Sequence, residues 1–113
     1  MIGMASAYAN CNLTLCGGYS VTAGVCVNGG NYSGDTVLSL HNSTGNIVAY
    51  NDDSDSCGIN AVGSELFYIP PIGSSCESYQ LRQYCYEGKQ CSGTSVVYIS
   101  QLSASPTYAP TSK

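Results

Sequence analysis

Seven cysteines in a chain of 113 residues limit the possible folds more than any other feature of this sequence. Cytosolic thiols are kept reduced, so a small chain this rich in cysteine is typical of an oxidising compartment in which disulfides form. The alternative is a zinc site, which needs closely spaced ligands. The sequence contains no Cys-x-x-Cys pair, and His41 is its only histidine. The cysteines therefore predict a secreted, disulfide-bonded domain.

Two disulfides can be predicted from positions along the chain. Cys85 and Cys91 enclose five residues that include a glycine, a loop of hairpin size whose ends can bring the two Cβ atoms within about 4 Å. Cys57 and Cys76 flank one expected strand and form the second predicted pair. Because seven is odd, one cysteine is free, bonded to another chain or paired outside this sequence. Cys11, which lies nearest the start, is the candidate.

The charge of the chain excludes some classes of partner. Charged residues make up 9% of the chain, against about 25% in ordinary soluble domains, and the formal net charge is −4. The sequence has no basic stripe, so nucleic acid is not an expected partner. It has no long apolar run either, so we expect no membrane span. Residues 1–7 are too short and uncharged for an intact signal peptide. We expect either that a signal has been removed or, by preference, that the chain is a piece of a longer extracellular protein.

Short runs of alternating apolar and polar residues predict β-strands throughout. Residues 20–27 and 35–40 alternate in this way, and 65–69 form a strand that two prolines end. Residues 42–46 have turn chemistry, and with the return strand at 47–50 they predict a hairpin. About seven strands with turns every 8–12 residues indicate an all-β fold. We predict an antiparallel two-sheet sandwich, jelly-roll or immunoglobulin-like, held by disulfides.

The chain divides by composition into three regions. They are an extended N-terminal assembly or donor strand (1–10), a β-sandwich domain (11–102) and a Pro/Ser/Thr-rich linker or stalk (103–113). In the first region Ile2, Met4 and Tyr8 share one face at the period of a strand, and no charge or proline protects the run. We expect this strand to complete a neighbouring subunit. The alternative is that it forms the first strand of its own sandwich.

Three segments together resemble a known family. They are the run GDTVLSL at 34–40, the run GNIVAYNDD at 45–53 followed by Cys57-Gly58, and the Cys-x5-Cys-Ser-Gly-Thr segment at 85–94. The chain resembles the pre-peptidase C-terminal type β-sandwich modules of secreted proteins, especially their Cys-rich tandem variants in microbial eukaryotes. The resemblance implies a jelly-roll-like sandwich without catalytic residues, which accompanies secreted proteases or recurs in adhesive and surface proteins. The chain lacks two cysteines that are common in such modules, one near 31–33 and one after Cys57.

Glycosylation is predicted at three sequons, which begin at Asn12, Asn31 and Asn42. Asn12 is out of phase with Leu13 and Leu15, so it should face solvent, and the other two asparagines lie in turn-like segments. For a eukaryotic secreted protein we expect N-linked glycans at these positions. The Pro-Thr steps of the tail suggest O-linked glycans in addition.

An acidic stretch after the predicted hairpin is the candidate metal site. Asn51, Asp52, Asp53 and Asp55 offer hard oxygen ligands of the kind that Ca²⁺ prefers. The stretch is not an EF-hand loop, since the glycine at position six and the closing glutamate are missing. The alternative is an Asx-rich turn whose side chains bind loop amides, with no cofactor at all.

Catalytic constellations are not expected. A serine nucleophile needs a histidine base, and His41 ends a predicted strand, where we expect a surface position. Glu65, Glu77 and Glu87 lie in unrelated segments, which does not suit a carboxylate pair for glycoside hydrolysis. We predict that the chain is not an enzyme.

Two functions fit these features. The first is an extracellular structural glycoprotein module, a subunit of a fibril or cell-surface array that assembles with copies of itself through the N-terminal strand. The alternative is a non-catalytic accessory module that holds carbohydrate or matrix protein for a larger secreted protein. Tyrosines expected in loops, such as Tyr19, Tyr32 and Tyr86, favour the alternative.

Overall fold

The computed structural model describes residues 9–54, 57–58 and 61–102, and its regular structure in these residues is almost all β-strand. Tyr86–Gly88 form a short 3-10 turn. The nine strands of the described residues are β1 (Ala9–Leu15), β2 (Tyr19–Gly24), β3 (Asn31–Ser33), β4 (Thr36–His41), β5 (Ile47–Asn51), β6 (Glu65–Tyr68), β7 (Glu77–Cys85), β8 (Ser92–Thr94) and β9 (Val96–Gln101).

The strands form two main antiparallel layers. One sheet has four strands in the order β1-β7-β4-β5, and the other has three in the order β6-β2-β9. A two-stranded ribbon of β3 and β8 adds to them. The layers pack their apolar faces together, which confirms the prediction of an all-β sandwich.

The core follows from the alternation of apolar residues along the strands. Val21 and Ala23 of β2 point inward at 0% and 1% exposure, and Leu38 and Leu40 of β4 meet them at 0%. Every second side chain of a strand faces the same side, so these residues bury one face of each sheet. The rest of the core cluster comes from the neighbouring strands and consists of Leu15, Leu66, Tyr79 and Leu81.

The hairpin of β4 and β5 confirms the predicted turn at 42–46. The two strands pair antiparallel, and Gly45 takes a φ of +88° in the turn, a value that glycine reaches without steric cost. The amide of Gly45 donates to the carbonyl of Asn42 at 2.9 Å. The side-chain oxygen of Asn42 also accepts the backbone amides of Thr44 and Asn46, which fixes the loop.

Three disulfides hold the sandwich together. Cys85 and Cys91 are bonded to each other, as predicted, across the 3-10 turn. The predicted bond between Cys57 and Cys76 is wrong, since the other two bonds are Cys16–Cys76 and Cys26–Cys57. Cys11 has no disulfide partner, as predicted, and it is exposed.

Strand pairing explains the observed bonds. β1 and β7 pair antiparallel, with Leu15 opposite Glu77, so the residue after one strand lies beside the residue before the other. These residues are Cys16 and Cys76. Cys26 follows β2, and Cys57 lies in the segment that leads to β6, the strand hydrogen-bonded to β2. Each of these two disulfides therefore links two chain segments that adjoin hydrogen-bonded strands.

The regions predicted at the ends of the chain are only partly covered. Ala9 and Asn10, which were assigned to the N-terminal assembly strand, belong to β1 and pair with Gln83 and Arg82 of the same chain. The boundary predicted after residue 10 therefore falls inside a strand of the sandwich. The assembly residues Ile2, Met4 and Tyr8 and the tail 103–113 lie outside the described residues. Within the described ranges, no helix is long and apolar enough to cross a membrane.

Candidate functional site

A group of three carboxylates lies at one end of the four-stranded sheet. Asp35 precedes β4, while Asp52 and Asp53 follow β5. Because these strands form an antiparallel hairpin, the start of one lies beside the end of the other. Carboxylate oxygens of the three residues lie within 4.8 Å of one another. We call this group the aspartate cluster.

The cluster shares two carboxylates with the predicted metal site. The side-chain oxygen of Asn51, which was also predicted as a ligand, accepts the backbone amide of Glu65 at 3.1 Å and so links the two sheets. Asp55 lies outside the described residues. Asp35 was not predicted, although its place at the start of the first hairpin strand could have suggested it. Asp52 and Asp53 remain from the predicted set.

Burial and mutual repulsion make two carboxylates of the cluster, those of Asp35 and Asp52, hard to ionise. Burial, followed by the charges of Asp53 and Asp35, raises the pKa of Asp52 from 3.8 to about 6. Burial, followed by the charge of Asp53, also raises the pKa of Asp35. One oxygen of Asp35 and one of Asp52 are buried without a hydrogen-bond partner among the described residues. Such an arrangement can take up a proton near neutral pH, and its oxygens are of the type that a hard cation prefers.

Two tyrosines extend this acidic region. The pKa of Tyr50 is raised by burial and then by the charge of Asp52. The pKa of Tyr86 is raised first by Glu87, and more weakly by the cluster. Of the tyrosines expected in loops, Tyr86 lies in the 3-10 turn, whereas Tyr19 and Tyr32 lie in strands β2 and β3.

The histidine is buried and not exposed as the sequence predicted. His41 follows the inward-facing Leu40 and so lies on the outer face of β4, yet it is only 6% exposed, since β4 is flanked on both sides by β7 and β5. The Nε2 atom of His41 is 2.7 Å from the hydroxyl oxygen of Ser39, whose residue is 2% exposed. The Nδ1 atom has no hydrogen-bond partner among the described residues. Burial, followed by the charge of Arg82, lowers the pKa of His41.

This serine–histidine contact has the distance of a nucleophile and its base, but the described residues place no orienting group beside it. A base of this type is oriented by a third group on its other ring nitrogen, and Nδ1 of His41 meets no such group in the described part of the chain. Ser39 is also too buried for a substrate to reach. The pair therefore fits a structural contact between two buried polar side chains.

Two of the predicted glycosylation sites line one cavity on the outer side of the four-stranded sheet. Asn12 and Asn42 lie around a space of about 270 Å³ together with His41, Gln80 and Arg82. Asn12 is exposed on β1, and its oxygen accepts the side-chain amide of Gln80 at 3.2 Å. Asn42 is half-buried, and its oxygen accepts three hydrogen bonds. Its side-chain nitrogen, where a glycan would be attached, has no partner in the described ranges.

The third sequon lies apart from the other two. Asn31 is exposed and begins β3, which pairs with β8. It therefore lies in a short strand and not in the turn-like segment that the sequence suggested.

A groove runs along the side of the sandwich where β1 and β9 are the edge strands of their sheets. We call it the β1–β9 groove. It encloses about 340 Å³. The residues around it come from both sheets and from the β3–β8 ribbon, and they are Ala9, Asn10, Cys11, Leu81, Gln83, Gly93, Thr94, Ser95 and Val97.

The outer face of the three-stranded sheet carries two exposed aromatic side chains. Phe67 and Tyr98 are both Cα partners of Thr22, one on each neighbouring strand. They are 59% and 61% exposed. Since neighbouring strands lie about 4.8 Å apart, the two rings flank Thr22 on strands separated by about 10 Å.

No protein-family model, curated protein or solved structure matches this chain.

Proposed function

We propose that the chain is a structural glycoprotein module outside the cell, a subunit of a fibril or surface array that assembles with copies of itself through its N-terminal strand. The observation that carries this proposal is the pair of edge strands β1 and β9 on one side of the sandwich. Edge strands present unpaired backbone groups, and soluble proteins normally protect them with charge or proline. Neither β1 nor β9 contains a charged residue or a proline.

Three disulfides in a small domain support a location in an oxidising compartment. The proposal also uses the predicted glycans. Two of the sequons lie around the cavity on the outer side of the four-stranded sheet, so sugar there would cover that face. Contacts between copies would then form at the β1–β9 side. A module of this kind needs no catalytic residue, and the resemblance to pre-peptidase C-terminal type modules fits such a role.

The experiment is to express residues 1–113 by secretion from eukaryotic cells and to follow assembly by sedimentation and negative-stain electron microscopy. We expect polymers that grow with concentration. Replacing Met4 by Lys in the full chain should leave folded monomers, because a charge on the apolar face of the strand opposes its burial. Wild-type protein that stays monomeric at every concentration would contradict the proposal.

A second function is favoured by one specific observation, the exposed pair Phe67 and Tyr98. Aromatic rings flanking a hydroxyl side chain on an open sheet suit the stacking and hydrogen bonding that a polysaccharide requires. In this alternative the module holds carbohydrate for a larger secreted protein. Retention of the protein on insoluble polysaccharides should then fall when either ring is replaced by Ala, and replacement of the exposed Ile72, which lies in a loop, serves as control.

A further inference from the structure

One sheet of the sandwich has four strands and the other has three. The three-stranded sheet is one strand shorter on the side of the β1–β9 groove. Cys11 is the Cα partner of Leu81, so it points to the inner side of its sheet, yet it is exposed while Leu81 is 3% exposed. Leu13, two residues further along the same face, is half-buried. Leu15 is 1% exposed. The inner face of β1 is therefore covered at its end and open at its start.

The opposite wall of the groove shows the same pattern on β9. Ile99 is the Cα partner of Val21, a core residue with 0% exposure, so both side chains point inward. Ile99 is nevertheless 42% exposed. Val97, on the same face, is half-buried and lines the groove. An inward-facing apolar side chain such as Ile99 has this degree of exposure where no strand covers it. The uncovered space corresponds to the position of one further strand beside β9.

We propose that residues 1–8 of a second copy enter this groove as a fourth strand of the β6-β2-β9 sheet, hydrogen-bonded to the free edge of β9. This proposal rests on the proposed function and specifies its acceptor. The segment MIGMASAY contains no charge and no proline, so it can form an unbroken apolar strand. Eight extended residues span about 26 Å, which covers the roughly 20 Å of the six-residue β9. A strand in this position covers Ile99 and the inner face of β1 together.

The position of residues 1–8 directly before β1 favours their pairing with another copy over pairing with the same copy. Residues 1–8 lead directly into Ala9 of β1, the wall opposite β9. To pair with β9 of its own domain, the segment would have to cross the spacing of about 10 Å between layers and reverse direction. That crossing uses about three of these eight residues and leaves about five, fewer than the six residues of β9.

A strand donated in this way makes a head-to-tail contact. Each copy offers its N-terminal segment to one neighbour and its β1–β9 groove to another. Such a contact uses two different surfaces and need not close on itself, so it generates an open filament. Cys11 lies in the wall of the groove, and its thiol becomes covered when the segment binds. Cys11 therefore reports occupancy of the groove without any substitution.

The experiment compares Ile99→Lys with Ile47→Lys in the secreted chain of residues 1–113. Both isoleucines are exposed and lie on edge strands. Ile99 shares the inward face of β9 with Val97, which lines the groove, whereas Ile47 lies on β5, at the opposite edge of the four-stranded sheet from β1. We expect Ile99→Lys to abolish polymers and Ile47→Lys to polymerise like wild type. A mixture of Ile99→Lys, which can still donate, with Met4→Lys, which can still accept, should stop at dimers. In wild-type protein, labelling of Cys11 by a bulky maleimide should fall on the order of tenfold between monomer and polymer, because thiol chemistry needs access.

The outcomes separate this proposal from the proposed function. If Ile99→Lys and Ile47→Lys both polymerise while Met4→Lys does not, the groove is the wrong acceptor and assembly through the N-terminal strand still stands. Unchanged labelling of Cys11 in wild-type polymers overturns the groove as well, and this measurement holds even if Ile99→Lys fails to fold. If Met4→Lys polymerises like wild type, the N-terminal strand takes no part, and the proposed function fails with the inference.

Discussion

Replacement of Asp52 by Asn tests whether the aspartate cluster is a source of instability at neutral pH. The native state holds the pKa of Asp52 at about 6, against an ordinary value of 3.8. A raised carboxyl pKa means that the native state binds more protons than the unfolded state between these two values. The stability contributed by the protonated group is therefore full below about pH 4 and is lost as the pH rises through 6.

The size of the effect follows from the shift. One pKa unit corresponds to about 1.4 kcal/mol, so a shift of about two units sets an upper value of roughly 3 kcal/mol. Asp52 is only half-buried, and the water that remains around it lowers the figure to about 1–2 kcal/mol. Asp52→Asn keeps the shape of the side chain without its charge. It should raise the free energy of unfolding by this amount at about pH 8 and change it little at about pH 4.

Urea unfolding followed by circular dichroism or tyrosine fluorescence measures the difference, since the chain has ten tyrosines and no tryptophan. The urea solutions contain a chelator. Asp53→Asn serves as control. We expect it to raise the free energy of unfolding by less than Asp52→Asn does, because it removes the repulsion between Asp53 and Asp52 but leaves Asp52 buried. A stability difference between Asp52→Asn and wild type that does not change with pH would refute the reasoning. If calcium binds the cluster, adding it should stabilise wild type and have less effect on Asp52→Asn.

Further predictions concern the disulfides and the glycans. Replacing Cys85 and Cys91 by Ser should lower the free energy of unfolding by about 2 kcal/mol in the chain-entropy model, because the bond closes a short loop. Replacing Cys16 and Cys76, which lie 60 residues apart, should lower it by about 4 kcal/mol in the same model. Equal losses in urea unfolding would contradict this order. Asn42→Gln should reduce the mass of the secreted protein by one N-glycan, which intact mass spectrometry before and after enzymatic release detects, and an unchanged mass would show that this sequon is unused.

Local features of the fold could be predicted from the sequence because they depend on residues close together in the chain. The alternation that places Leu38 and Leu40 on one face is a property of any strand. The turn at 42–46 depends on asparagine and glycine chemistry within five residues. The Cys85–Cys91 bond closes a loop so short that its two ends are always near each other.

Contacts between distant parts of the chain were decided by the tertiary structure. Cys57 flanks the same strand as Cys76 in sequence, but strand pairing places it beside Cys26, and it places Cys76 beside Cys16. His41 ends a strand, as the pattern indicated, but that strand is an inner one, so the histidine is buried. Alternation shows that a residue lies in a strand, but it does not show which strands are neighbours.

Some features of the candidate site could likewise be predicted from the sequence, and others depended on the tertiary structure. The sequence by itself identified Asp52 and Asp53 as adjacent carboxylates and Cys11 as the unpaired cysteine. Only the hairpin register brought Asp35 to them, and only the order of strands left β1 and β9 at the open side of the sandwich. Spacing along a chain fixes local geometry, because a few bonds connect the residues concerned. Partners that lie tens of residues apart are chosen by the packing of whole sheets, which depends on all the apolar faces of the chain at once.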